Sequence, residues 1–149
     1  MSNETTIMEN LRDDLRDNIE DPIQRQGQWI HLGEINTQSK TPAVYIDLAP
    51  SPNIIDFVGG NQKRFLNVLV HVVVGNKDQG RVNIDNILTQ ITSSDELRDR
   101  IMDAIISRWE NSDAIGSYDG GVALDHPIGN WRLNAQTKVK SVRFLVDIL

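Results

Sequence analysis

The chain contains no cysteine among its 149 residues. Disulfides, thiolate metal clusters and thiol nucleophiles are therefore excluded, and packing has to supply the stability. No apolar run reaches the roughly 18 residues that a bilayer-spanning helix needs, and the polar N-terminus lacks a basic and then apolar signal pattern. We therefore expect a soluble, unexported protein with no membrane partner.

Positive charge is scarce, since 15 Lys and Arg stand against 21 Asp and Glu, which gives a net charge of −6. Such a surface repels phosphate backbones, so general nucleic-acid binding is not expected. Aspartate is abundant and lysine rare, a balance that is also typical of proteins adapted to a salt-rich cytoplasm.

Apolar spacing divides the chain into four regions of one domain. The predicted regions are an N-terminal amphipathic helix (1–22), a strand pair with a long loop (42–76), a helical layer (82–109) and closing strands (130–149). Ile84, Ile87, Leu88 and Ile91 follow helical spacing, and Ser93 with Glu96 forms a capping box for a fresh helix. The layer is therefore one kinked helix or two short ones.

Residues 63–75 form the most pronounced strand pattern, because Leu66, Val68, Val70, Val72 and Val74 make one unbroken apolar face. Residues 111–129 are glycine-rich and are predicted to form a loop. A change of register near Lys140 indicates a bulge, a strong twist or a break between two closing strands. The predicted fold class is α+β, with a mixed or antiparallel sheet of about four strands and helices packed on one face.

Residues suited to catalysis or metal binding are scattered. His31, His71 and His126 have no second ligand at metal-binding spacing, and His71 is interpreted as a hydrogen-bonded histidine of the central strand. The carboxylates around Asp14 and Asp99 alternate with arginines, which is typical of a solvated helix face. The sequence therefore predicts no catalytic residue, no cofactor and no metal site.

The long loop between the first two strands is unusual because it carries apolar residues between prolines and glycines. Ile54, Ile55, Phe57 and Val58 either fold back on the core or remain exposed as a contact segment. We select these four residues, with Arg64 at the start of the next strand, as the candidate site for contact with another subunit or with a tail tube.

The order of the segments IMENLRDDLRDNI, TPAVYIDLA, KRFLNVLVHVVVG, NIDNILTQI and VRFLVDIL resembles that of the tail-terminator, tail-completion and head-tail joining proteins of tailed viruses. The resemblance implies a virion protein, made in the host cytoplasm, that forms a homo-oligomeric ring, typically a hexamer. Its implied partners are the tail-tube protein and the neck or connector protein, with DNA only as passing cargo.

Two other functions stay open. The chain would be a small-ligand or regulatory binding domain if His71, Asn67 and Trp131 lined a pocket. An enzyme ranks third, since only unpaired Asp and His residues support it.

Overall fold

A computed structural model describes residues 4–49, 54–56, 62–84, 87–110 and 122–147. Within these ranges the elements in chain order are α1 (Glu4–Asn18), β1 (Ile30–Leu32), β2 (Ala43–Leu48), β3 (Ile54–Asp56), β4 (Gln62–Gly75), β5 (Gly80–Ile84), β6 (Ile87–Ile91), α2 (Ser94–Glu110), β7 (Val122–Asn134) and β8 (Thr137–Asp147). None of the described helices has the length and apolar character needed to cross a membrane.

The main sheet has the order β1-β2-β4-β8-β7, with β4 at its centre. β1 runs parallel to β2, whereas the other neighbours along this path are antiparallel, so the sheet is mixed. β3 pairs with the first residues of β4, and β5 and β6 form a separate two-stranded sheet. The predicted α+β class is confirmed, and the sheet is larger than the four strands expected.

Both helices pack on one face of the main sheet, as predicted. α1 lies over β1 and β2, and α2 lies over β4, β7 and β8. The apolar face of β4 is fully buried in this layer, together with the apolar stripes of the two helices (Ile7, Leu11 and Leu15; Leu97, Ile101 and Ile105). Trp109 of α2 meets Phe144 of β8 edge to face, with ring centroids 4.9 Å apart. Apolar burial on this face is the main source of stability.

A polar contact joins the two helices at the border of the core. The Asp14 carboxylate of α1 accepts hydrogen bonds from the Arg108 guanidinium at 2.6 and 3.1 Å and from the Trp109 indole N–H at 3.3 Å. Asp14 was assigned to a solvated helix face, but its side chain is 12% exposed. The sequence pattern missed this pairing because Asp14 and Arg108 are far apart in the chain.

The helical prediction for residues 82–91 is wrong. This segment belongs to the β5–β6 hairpin, and α2 is a single helix that begins at Ser94, beside the predicted cap. The Leu97 N–H donates to the Ser93 carbonyl at 2.9 Å, which starts the helix at this position. Apolar residues at i, i+3, i+4 and i+7 fit one face of a helix. The same spacing also fits two short strands with alternating apolar residues that are separated by two residues in the sequence.

Three predicted boundaries also change. α1 ends at Asn18, short of residue 22, and β7 begins at Val122 inside the region predicted as a loop, while residues 111–121 lie outside the described residues. The closing region consists of two antiparallel strands, and the break between them falls at residues 135–136, not at Lys140. A tight turn, not a change within one strand, accounts for the altered register.

Candidate functional site

β3 and the first three residues of β4 form a two-stranded extension, which we call the arm (residues 54–56 and 62–64). Ile54, Ile55 and Asp56 pair with Arg64, Lys63 and Gln62. The pairing of β2 with β4 ends at Leu48 and Val68, and the pairing of β8 with β4 ends at Phe65 and Asp147. The arm therefore continues past the end of the main sheet.

The arm contains three of the five residues selected from the sequence, since Ile54 and Ile55 lie on β3 and Arg64 lies opposite Ile54. Phe57 and Val58 lie outside the described residues. Six residue steps separate Leu48 from Ile54, whereas four separate Val68 from Arg64, so the β2–β3 side carries two extra residues.

The arm differs in charge from the chain as a whole. Its two strands contain one acid, Asp56, and two bases, Lys63 and Arg64, which gives a net charge of +1. The whole chain has a net charge of −6, so the residues outside the arm have a net charge of −7. A positive extension on an acidic protein is attracted to the body of a second copy.

The second face of the main sheet, opposite the helices, is only partly covered. A small cluster of Ala43, Tyr45, Val73 and Val139 is buried there, with Ile35 and Leu133 packed against it. The Tyr45 hydroxyl donates to the Asn36 carbonyl at 3.3 Å, which holds the loop after β1 over the cluster. A cleft of about 360 Å³ lies at this end of the sheet, lined mostly by polar residues of the loop and of the turns after β4 and β7.

His71 and Trp131 meet on this second face through Ser141. The Ser141 hydroxyl lies 2.6 Å from His71 Nδ1 and accepts a hydrogen bond from the Trp131 indole N–H at 2.8 Å. Burial lowers the pKa of His71, against a smaller opposite effect of Asp47. The neutral imidazole can then accept a hydrogen bond from the Ser141 hydroxyl at Nδ1. The structure thus brings together two of the three residues predicted to line a pocket, while Asn67 lies four residues away along β4.

The carboxylates at the start of α2 are paired with β8. Lys138 donates to Asp95 at 3.0 Å, Lys140 donates to Asp99 at 3.4 Å, and the buried Arg98 contacts both aspartates. The hydrogen bond from Lys138 is the main cause of a lowered pKa at Asp95. These charges attach α2 to the sheet and do not form a free pair of carboxylates.

The tip of the β5–β6 hairpin is a second exposed feature, and the sequence analysis missed it. Ile87 is 67% exposed and Leu88 is 52% exposed, whereas Val82 and Ile91 at the base of the hairpin are buried. The base is held by a hydrogen bond of 2.8 Å from the Arg81 N–H to the Pro22 carbonyl. The signal in the sequence was the alternation of β-branched residues on both sides of an Asp-Asn pair, a typical turn composition.

Within the described residues, no three His, Asp or Glu side chains converge in a way that could hold a metal ion. The candidate site is therefore a pair of strand extensions, the arm and the hairpin, on a sheet-and-helix body. No protein-family profile and no curated protein sequence matches this chain.

Proposed function

We propose that this protein is a structural subunit of a tailed virus that assembles into a ring at the head-proximal end of the tail. There it ends the tail tube and joins the tail to the neck or connector. The observation that carries the proposal is that two strand pairs extend from the body, one with a positive charge surplus and one with exposed apolar residues at its tip. Both are surfaces suited to contacts between chains.

A ring needs two different complementary surfaces on each copy, because head-to-tail contacts close only around a rotation axis. The arm and the hairpin are two such surfaces. Acidic charge on the rest of the chain suits the passage of DNA through the ring, since like charges repel and prevent binding. The resemblance in segment order adds the tail location and the tube and neck proteins as partners.

The test is the mass of the particle in solution, measured by size-exclusion chromatography with light scattering, alone and with purified tail-tube protein. We expect a closed oligomer of uniform mass, formed by the protein alone or on the end of the tube. Arg64→Glu reverses charge in the arm and should reduce assembly, whereas Lys77→Glu makes the same change at an exposed turn and should not. A monomer under both conditions would refute the proposal.

The cleft of about 360 Å³ supports a second candidate, a small-ligand binding domain. Its size lies within the roughly 300–1,000 Å³ of ligand sites, and Val73 and Leu133 give it an apolar part. A polar metabolite bound there would raise the melting temperature with increasing concentration. Screening a panel of metabolites by thermal shift, with Val73→Trp to fill the cleft as control, separates this function from the ring.

A further inference from the structure

The two outer strands of the main sheet are protected against pairing with another chain. The backbone groups of Trp29 and Gly33 form hydrogen bonds with β2, so the Ile30 carbonyl of β1 points away from β2. The Arg16 side chain donates hydrogen bonds to this carbonyl at 2.7 and 3.0 Å. β7 contains Pro127 and three shifts of register against β8. A side chain over the edge, a proline and bulges are common means of preventing edge-to-edge association.

β6 has none of these features. Its register with β5 is unbroken from Ile84–Ile87 to Gly80–Ile91, and its sequence Ile-Leu-Thr-Gln-Ile contains no charge and no proline. β6 pairs only with β5 in the described part of the chain, where no strand lies along its other edge. An open, uncharged edge strand binds an added strand through its backbone N–H and C=O groups.

The exposed side chains of β6 indicate that this edge is covered in an assembly. Ile87 and Leu88 are neighbours in a strand and therefore point to opposite faces, and both are more than half exposed. A single body packed on one face of the hairpin would leave the other residue in water. An added strand that carries side chains on both faces covers both residues.

We propose that the open edge of β6 binds β3 in the arm of a second copy of this chain. The inference rests on the proposed function, because a head-to-tail ring requires one donor and one acceptor surface on each copy. β3 pairs only with β4 among the described strands, so within them it also has an edge without a partner. Its three residues fit within the five residues of β6.

Charge favours this occupant over a symmetric contact between two β6 strands. Copies with a net charge of −6 repel each other, so contact costs least where neither surface adds negative charge. β6 is neutral and the arm carries +1, so this pairing brings a positive extension against a body of −7. A two-fold contact through β6 brings two acidic bodies together without that compensation.

Cysteine cross-linking tests the contact directly, because the chain has no cysteine of its own. One preparation carries Thr89→Cys or Gln90→Cys in β6, and a second, with a mass tag, carries Ile54→Cys or Ile55→Cys in the arm. Adjacent positions are tested because successive strand residues point to opposite faces, and a disulfide needs Cβ atoms about 3.5–4.5 Å apart. Mixing under mild oxidation should give a mixed dimer for at least one combination. Ile23→Cys, exposed and off the strand edge, should give none.

The outcomes separate this contact from the ring itself. If the protein assembles without any mixed cross-link, the β6–arm contact is refuted but the proposed ring is not. If only the β6 variants form cross-linked dimers, the β6–arm contact is refuted in favour of a two-fold contact through β6. Cross-links to tube protein alone also overturn it, whereas failure to assemble under any condition refutes the ring as well. As a second test, Leu88→Lys should reduce the assembled fraction at least tenfold at unchanged circular dichroism, while Ile23→Lys should leave assembly intact.

Discussion

Replacing Asp14 with alanine tests how α1 is held against α2. The substitution removes the acceptor of hydrogen bonds from Arg108 and from the Trp109 indole N–H. Asp14 is 12% exposed and Arg108 is 28% exposed. The guanidinium would therefore lose the Asp14 carboxylate in a place where water replaces it only in part.

The expected loss follows from the geometry. A hydrogen bond to a charged group contributes about 1.5–3 kcal/mol, and an exposed ion pair at most about 1 kcal/mol. Because Arg108 is partly hydrated, we place Asp14→Ala at about 2–3 kcal/mol in the free energy of unfolding. For a domain of this size that corresponds to a fall of about 4–12 °C in melting temperature.

Urea unfolding followed by circular dichroism measures this loss. Asp13→Ala is the matched control, because that carboxylate is mostly exposed and its ion pair is with the neighbouring Arg12, so its loss should stay within about 0.5 kcal/mol. The double substitution of Asp14 and Arg108 should show a coupling free energy of about 1–2 kcal/mol. Equal losses for the Asp13 and Asp14 variants, or no coupling, would refute the reasoning.

Three further predictions concern the core, a titrating group and a close backbone contact. Phe144→Ala should lower the free energy of unfolding in urea by about 3–5 kcal/mol, whereas Leu88→Ala, at the exposed tip, should change it by less than about 0.5 kcal/mol; similar losses would contradict the assigned core. Burial lowers the pKa of His71 from its ordinary 6.5. The stability gained by burying the neutral imidazole is therefore complete above pH 6.5 and is lost as the pH falls through the pKa of the folded state. NMR titration of the His71 imidazole should therefore give a midpoint below 6.5, and a midpoint above 6.5 would contradict the burial of this side chain. Gly80→Ala places a Cβ 2.6 Å from the Pro22 carbonyl oxygen and should cost about 1–3 kcal/mol in thermal unfolding; an unchanged melting temperature excludes that packing.

Local pattern predicted the elements that carry one continuous apolar face. α1 and β4 were identified because their apolar residues follow a single period, 3.6 or 2, and one periodicity allows one conformation. β2 followed for the same reason. The predicted contact residues Ile54, Ile55 and Arg64 proved to lie in the arm, whose pairing with β4 the sequence did not show.

Residues 82–91 show where the local pattern was insufficient. Their apolar spacing fits a helix and a hairpin equally well, so the choice depends on contacts from elsewhere in the chain. Val82 and Ile91 are buried in the main core, and Gly80 lies against Pro22, so packing at the base stabilises the hairpin. Tertiary contacts of this kind override local propensity.

The sequence by itself determined the fold class, the strand at the centre of the sheet and the charge of the surface, because these follow from composition and from periodicity within one segment. Only the tertiary structure decided that Asp14 joins two helices, that β1 and β7 are protected while β6 has β5 alone beside it among the described strands, and that the arm continues beyond the sheet. Each of these depends on register and on partners distant in the chain, and a one-dimensional pattern contains no information on which strand edge remains unpaired.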